Sequence, residues 1–388
     1  LAPQSAFLAP LAVFCTLTFS ANYGMESALA ALLFAALLER LSRWTEPAGW
    51  IQGLCLGLLS GALVLARLDS ALYIIALNVA WGLHLFRRPP SPKRRSEWLA
   101  WTLCVSMQAA LVVPYVLLNL LWFGHLLPVS AMIKAGRHTA LSLEWIRSWM
   151  ALFALLSLGG ALLVIWVRRR LPADLALRTA AIGTLLAMIV SFLKANFESY
   201  SWYFTLPVVA GAMLLPVIVA SFPTRIPTRL RHVPAVLLCL LMLAGTLRPR
   251  LSQDSIFVPR YRMAAWIRTF TPPNVVLAEP DAGILGFLSE RPILNIDGLT
   301  NSFAFQDAIH GDTLPQWFAQ AGLNGMVLKA DRWPKKAADG TYHEAVTVWK
   351  GMRGDLRQVY AVLEPWEGAP RKGAFRLWRV LRVENGVP

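Results

Sequence analysis

Charge is what this 388-residue sequence has least of: 15% of its residues are Asp, Glu, Lys or Arg, where a soluble domain carries about 25%. Acidic side chains are the scarcer half, 22 against 37 basic ones, for a formal net charge of +15. Metal and disulfide chemistry is equally thin. Cys15, Cys55, Cys104 and Cys239 all fall inside apolar runs without ligand spacing, which reads as packed thiols and excludes a disulfide framework or a zinc site. His84, His125, His138, His232, His310 and His343 are scattered; none forms a ligand pair at helical spacing, and no Ser-His-Asp or Cys-His arrangement has local support. There is no fixed-period repeat. The first twenty-odd residues lack the basic start and small-residue cleavage site of a secretory signal, so from Leu1 onward they read as a true span of a chain that begins further upstream.

What the sequence does have is apolar length. Hydrophobic residues make up 56% of it, and the mean hydropathy is +0.50. A hydrocarbon core of ~30 Å needs about 20 helical residues to cross, and runs of nearly that size recur at 6–22, 25–40, 50–66, 70–86, 98–121, 149–167, 179–193, 203–222 and 233–247. The pattern predicts a polytopic α-helical membrane protein of about nine spans over 1–247, followed by a soluble domain over 248–388. In that second part, strand-length runs such as Val275–Ala278, Pro292–Ile296 and Gly325–Leu328 alternate with helix-like stretches such as Tyr261–Thr269 and Thr313–Ala321, which predicts a small α/β domain.

Cations sort with this topology. With the amino end inside, the inner loops hold the basic runs Arg87–Arg95 and Arg168–Arg170 together with Arg40, Arg43, Arg178, Arg225, Arg229 and Arg231, whereas the outer connections hold only Arg67, Lys134, Arg137, Arg147 and Lys194. Loop topology therefore explains the basic balance, and nucleic acid is not an expected partner. An odd number of spans puts the α/β domain on the outer side of the membrane.

Three clusters on the expected outer face carry the visible chemistry. The first is Asn22-Tyr23-Gly24-Met25-Glu26-Ser27, where Glu26 either holds a substrate hydroxyl or caps a helix amino end. In the second, Ala66-Arg67-Leu68-Asp69-Ser70, Arg67 suits a phosphate and Asp69 either orients it or pairs internally with Arg67. The third runs from Asn119 through Phe123-Gly124-His125 and Leu127-Pro128 to Lys134, with Asn119 and His125 as candidate substrate ligands and Lys134 as a second cation for phosphate. Lys194 is a third such cation. Glu198 and Tyr203, in the aromatic segment Phe197–Tyr203, suit sugar or acceptor hydroxyls, although interfacial anchoring explains the aromatics equally well.

In this order and spacing the clusters resemble the bacterial membrane glycosyltransferases of the GT-C type, the group that includes the mycobacterial terminal arabinofuranosyltransferase. Its members show a G-[ML]-E-[TS] turn, here Gly24-Met25-Glu26-Ser27, then R-[PL]-[DE]-[GS], here Arg67-Leu68-Asp69-Ser70. An N-x-x-x-F-G-x-x-L-P-N-[TS] stretch follows, here Asn119 to Ser130, with Lys134 beyond it. Leu68 stands where Pro is usual, and Val129 where Asn is usual. Tyr261–Ile267, Pro272-Pro273-Asn274, Asp281-Ala282-Gly283 and Asp297-Gly298-Leu299-Thr300 are similar to the group's carboxyl-terminal domain.

The resemblance implies an inverting transfer of a sugar, arabinofuranose among the options, from a polyprenyl-phosphate donor to a cell-envelope glycan, lipid or protein acceptor. Arg67, Lys134 and Lys194 would meet the donor phosphate. It also implies a main catalytic carboxylate upstream of Leu1, with Glu26 or Asp69 as fallbacks. No cofactor is specified, although some of the group use a divalent metal. A transporter or flippase for a lipid-linked sugar, or a non-catalytic envelope-assembly protein, is the alternative class.

Overall fold

The computed structural model describes residues 25–42, 49–87, 89–135, 175–193, 205–220, 257–280, 282–297, 301–329, 335–348, 357–369 and 375–385, with single positions at 159, 233 and 236. Its helices are α1 (Met25–Ser42), α2 (Trp50–Ala66), α3 (Ala71–Arg87), α4 (Pro92–Phe123), α5 (Val129–Ala135), α6 (Leu175–Leu193), α7 (Thr205–Ala220), α8 (Phe257–Phe270), α9 (Gly283–Ser289), α10 (Phe303–His310) and α11 (Leu314–Gln320). Its strands are β1 (Val276–Glu279), β2 (Ile293–Asn295), β3 (Leu323–Lys329), β4 (Lys335–Lys336), β5 (Tyr342–Val348), β6 (Arg357–Pro365) and β7 (Phe375–Asn385). Two compact units result. One comprises Leu1–Leu118 with Thr139–Leu251, the other Asn119–His138 with Ser252–Pro388.

In the helical unit, aromatic and leucine side chains at helical spacing build one core. Phe34, Leu37, Leu38 and Leu41 of α1 are buried together with Tyr73, Leu77 and Trp81 of α3, Ala180 and Ala181 of α6, and Val209 and Ala210 of α7. The Phe34 and Tyr73 rings meet edge to face at 4.6 Å. Against α4, helix α2 presents Gly53, Gly57 and Gly61, one residue per turn. A Cβ on Gly53 would collide with the Ala100 carbonyl oxygen, and one on Gly57 would lie 2.6 Å from the Cys104 carbonyl oxygen. Only hydrogen fits there, which lets the two backbones approach closely.

A polar clasp crosses the same helices. Asn78 of α3 donates to Gln108 Oε1 at 2.8 Å, and Gln108 of α4 donates to Ser60 Oγ of α2 at 2.8 Å. Such bonds between apolar helices fix their relative register.

The nine-span architecture is not what the chain adopts. Among the described residues two helical stretches are long and apolar enough to cross a bilayer, Leu68–Arg87 and Pro92–Phe123. Half of the apolar window of the first is buried inside the protein, against 11% for the second. Helix α2, at 17 residues, spans only about 25 Å, and α1 carries Glu26, Glu39 and Arg40 in its 18 residues. The physical reason is that hydropathy does not distinguish cover by lipid from cover by protein: α1, α3, α6 and α7 shield one another. The runs expected at 6–22 and 149–167, and all but two positions of that at 233–247, lie outside the described residues.

The second unit is built on a seven-stranded sheet of order β2-β1-β3-β7-β6-β5-β4. β1 runs parallel to both β2 and β3, and every further pairing is antiparallel. Alternation along the strands feeds two cores, as a period of two requires. Leu277, Val327 and Leu377 join Met263, Ala264 and Ile267 of α8 and Leu285 of α9. Ala278, Met326, Leu328 and Trp378 join Phe305 and Ile309 of α10 and Leu314 and Phe318 of α11. The helices α8 and α9 therefore cover one face and α10 and α11 the other.

Candidate functional site

The helical unit brings two of the three sequence clusters together. Helix α2 ends where Arg67 turns into extended backbone (φ −152°, ψ 116°), its N–H still bonded to the Leu63 carbonyl. A 3-10 turn over Leu68–Ser70 then leads into α3, with Ser70 N–H bonded to the Arg67 carbonyl at 3.0 Å. This tight reversal swings the Arg67 side chain back under the turn. There Nε and Nη2 donate to Asp69 Oδ1 and Oδ2 at 3.0 and 2.6 Å. Nη1 donates to Ser27 Oγ at 2.8 Å, in the first turn of α1.

The electrostatics are asymmetric. The Arg67 side chain is 7% exposed and that of Asp69 41%. Burying a guanidinium costs several kcal/mol, and planar two-point pairing with a carboxylate is the arrangement that offsets it best. Asp69 thereby commits both of its oxygens to Arg67. Beside them Ser70 is fully buried, and its hydroxyl has no hydrogen-bond partner among the described residues. Glu26 is exposed in the first turn of α1, next in sequence to the Ser27 that Arg67 grips, and among the described residues no ion pair engages it. Ser27 and Ser70 were within the quoted motifs, but nothing in their spacing marked either as a partner or an orphan.

The third cluster belongs to the α/β unit. Asn119 is buried near the end of α4, and its Nδ2 has no hydrogen-bond partner among the described residues. His125 stacks on Phe303 at 4.0 Å and 17°. Lys134 lies in α5. Lys194, Glu198 and Tyr203 fall outside the described residues. Among the described residues no three His, Cys, Asp or Glu side chains gather as a metal site.

Sequence reasoning missed a buried ion pair in the same unit. Arg260 of α8 meets Glu279 at the end of β1 at 3.3 Å, their side chains 7% and 2% exposed, and the guanidinium lies over the Phe375 ring. Nineteen residues separate the two, and no local spacing announces the contact.

Residues 253–366 match a family described as a domain of unknown function, DUF8728. No curated protein matches the chain.

Proposed function

We propose that this chain is a glycosyltransferase of a bacterial inner membrane that moves a sugar from a polyprenyl-phosphate donor to a cell-envelope acceptor. One observation carries the reading: the Arg67–Ser27 bond joins the first two of the sequence clusters that resemble the motifs of GT-C enzymes. The stretches 68–87 and 92–123 supply apolar length for the bilayer, and Lys93, Arg94 and Arg95 at the start of α4 suit an anionic cytoplasmic leaflet.

In this reading Arg67 is a phosphate receptor held ready. Ser27 fixes its orientation while Asp69 occupies the face of the guanidinium that a phosphate also fits. Donor binding exchanges one anion for the other. The bond between the sugar's anomeric carbon and the phosphate oxygen then breaks, and the acceptor oxygen attacks the same carbon from the opposite side. Negative charge grows on the leaving phosphate, where a fixed cation favours the transition state over the ground state. The acceptor proton passes to a carboxylate. Of the two carboxylates of this corner, Glu26 takes no part in that exchange and is exposed in the first turn of α1, which makes it the better candidate for the proton.

The test is transfer by the full-length protein in lipid nanodiscs, given a labelled polyprenyl-phosphate sugar and a cell-envelope glycan fraction. Labelled product that falls about 10²-fold or more in Arg67→Ala supports the reading. Passage of intact donor across the bilayer, or donor binding without product, overturns it in favour of a transporter or an assembly protein.

A further inference from the structure

Strand β7 outruns one of its two neighbours. On one side it pairs with β3 from Phe375, opposite Lys329, to Arg379, opposite Gly325. On the other it pairs with β6 as far as Asn385, opposite Val359. Residues 380–385 therefore have a strand along one border only among the described residues, and along the other border their backbone has no ladder. A border of that kind is a template for a further strand.

The departure from β3 is built into the pairing. Arg382 stands opposite Val362 and Val380 opposite Leu363, so Leu381 has no opposite residue. A bulge of this kind bends its strand and ends pairing, and here it follows directly on the last pair with β3. Leu381 itself is 49% exposed.

Charge decides whether the open border attracts or repels a copy of itself. Proteins commonly blunt such borders with charged side chains, and charges of one sign would hold two copies apart. Residues 380–385 instead carry one of each sign. Arg382 and Glu384 are two residues apart, on one face of the strand, exposed and paired with each other. Arg379, just before them, meets Glu364 of β6 and lies over the Trp366 ring. The β6 residues opposite 382–384 are Val362, Ala361 and Tyr360, which add no charge.

Two such borders fit each other. In an antiparallel pairing about a two-fold axis at Val383, valine meets valine and each Arg382 faces a Glu384 across the axis. Moving the axis to Arg382 or to Glu384 sets like charges face to face, which is unfavourable in directly opposed positions. The charges thus select one register. We infer that residues 380–385 of β7 form a self-complementary interface through which a second copy of this chain pairs antiparallel about Val383. The arrangement is isologous and closes on itself, so it yields a dimer and not a fibre. It is independent of the transfer proposed above.

The test uses the full-length protein in membranes and in detergent. Directly opposed residues of an antiparallel pair have Cα atoms about 4.5–5.5 Å apart, within disulfide reach, so mild oxidation links Val383→Cys into a dimer above the wild-type background. Arg382→Glu and Glu384→Arg each weaken association about tenfold or more, read by light scattering across a concentration series. Mixed together, the two variants recover it, because only the mixed pair sets opposite charges across the axis, whereas the pairing within each chain stays broken in both. Thermal unfolding of each variant separates lost association from lost folding. A wild-type chain that stays monomeric, a dimer indifferent to either charge reversal, a mixture that fails to recover, or Val383→Cys linked to a different protein overturns the inference. A dimer without transfer from the lipid-linked donor defeats the proposed transferase alone; transfer by a monomer defeats this inference alone.

Discussion

Arg67 Nη1 donates to Ser27 Oγ at 2.8 Å across forty residues of sequence, so the turn after α2 is clipped to the first turn of α1. If this corner receives the donor phosphate, Ser27→Ala lowers transfer by about tenfold or more, since a hydrogen bond to a charged group contributes roughly 1.5–3 kcal/mol. Arg67→Lys fails to restore Arg67→Ala, because an ammonium lacks the planar fork. Steady-state transfer kinetics in nanodiscs check both.

Asp69 gives a prediction of opposite sign. In the exchange proposed above it competes with phosphate for Arg67, so Asp69→Asn lowers KM for the lipid-linked donor while costing about 1–3 kcal/mol of stability. A raised donor KM would show that Asp69 assists binding. Donor titration paired with thermal unfolding separates the two effects.

Helix packing offers a contrast between two glycines. Gly57→Ala drives a methyl into the Cys104 carbonyl and destabilises by about 1–3 kcal/mol. At Gly82 the nearest atom to a new Cβ is the Trp101 ring at 3.8 Å, ordinary contact, so Gly82→Ala stabilises by about 0.5–1 kcal/mol. Unfolding in detergent micelles reads both, and equal effects would refute the close approach of α2 to α4.

In the α/β unit, Glu279→Ala leaves the Arg260 charge buried without its carboxylate and costs about 3–5 kcal/mol. Replacing the pair together, Arg260→Met with Glu279→Leu, recovers most of that loss. A double-mutant cycle on thermal unfolding measures the coupling.

The turn between β4 and β5 responds to acid. Asp339 Oδ1 accepts from Thr341 Oγ1 at 2.6 Å and from Thr341 N–H at 2.9 Å, and these bonds, the hydroxyl's first, hold its carboxyl below the usual carboxylate range. A depressed folded-state value means the stabilisation is complete above the unfolded pKa and lost as pH falls through the folded one. Protection of the Thr341 amide from hydrogen exchange therefore holds at neutral pH and fades on acidification below the usual Asp range. Asp339→Ala removes it at every pH.

Much of the α/β unit was legible. The runs Val275–Ala278, Pro292–Ile296 and Gly325–Leu328 fall on β1, β2 and β3, and Tyr261–Thr269 and Thr313–Ala321 on α8 and α11, because short apolar runs between turn residues have few other fates. β7 was not, since Arg376, Arg379 and Arg382 interrupt its apolar positions and only pairing with β3 and β6 makes a strand of it. In the helical unit the apolar runs were plain, but what covers them was not: Phe34 on Tyr73 and Leu121 in the open are equally hydrophobic letters. At the candidate site, Arg67 and Asp69 stood out as charges between apolar runs, whereas the Ser27 contact depends on how α1 packs and has no trace in local spacing.

The position of β7 between β3 and β6 bears on biosynthesis. The parallel group β2-β1-β3 and the antiparallel group β6-β5-β4 have no hydrogen bonds to each other except through β7, which is translated after all of them. During synthesis both groups wait with open borders until Phe375–Asn385 has left the ribosome, and a nonsense mutation upstream of Phe375 would leave two half-sheets with adhesive rims rather than a shortened domain.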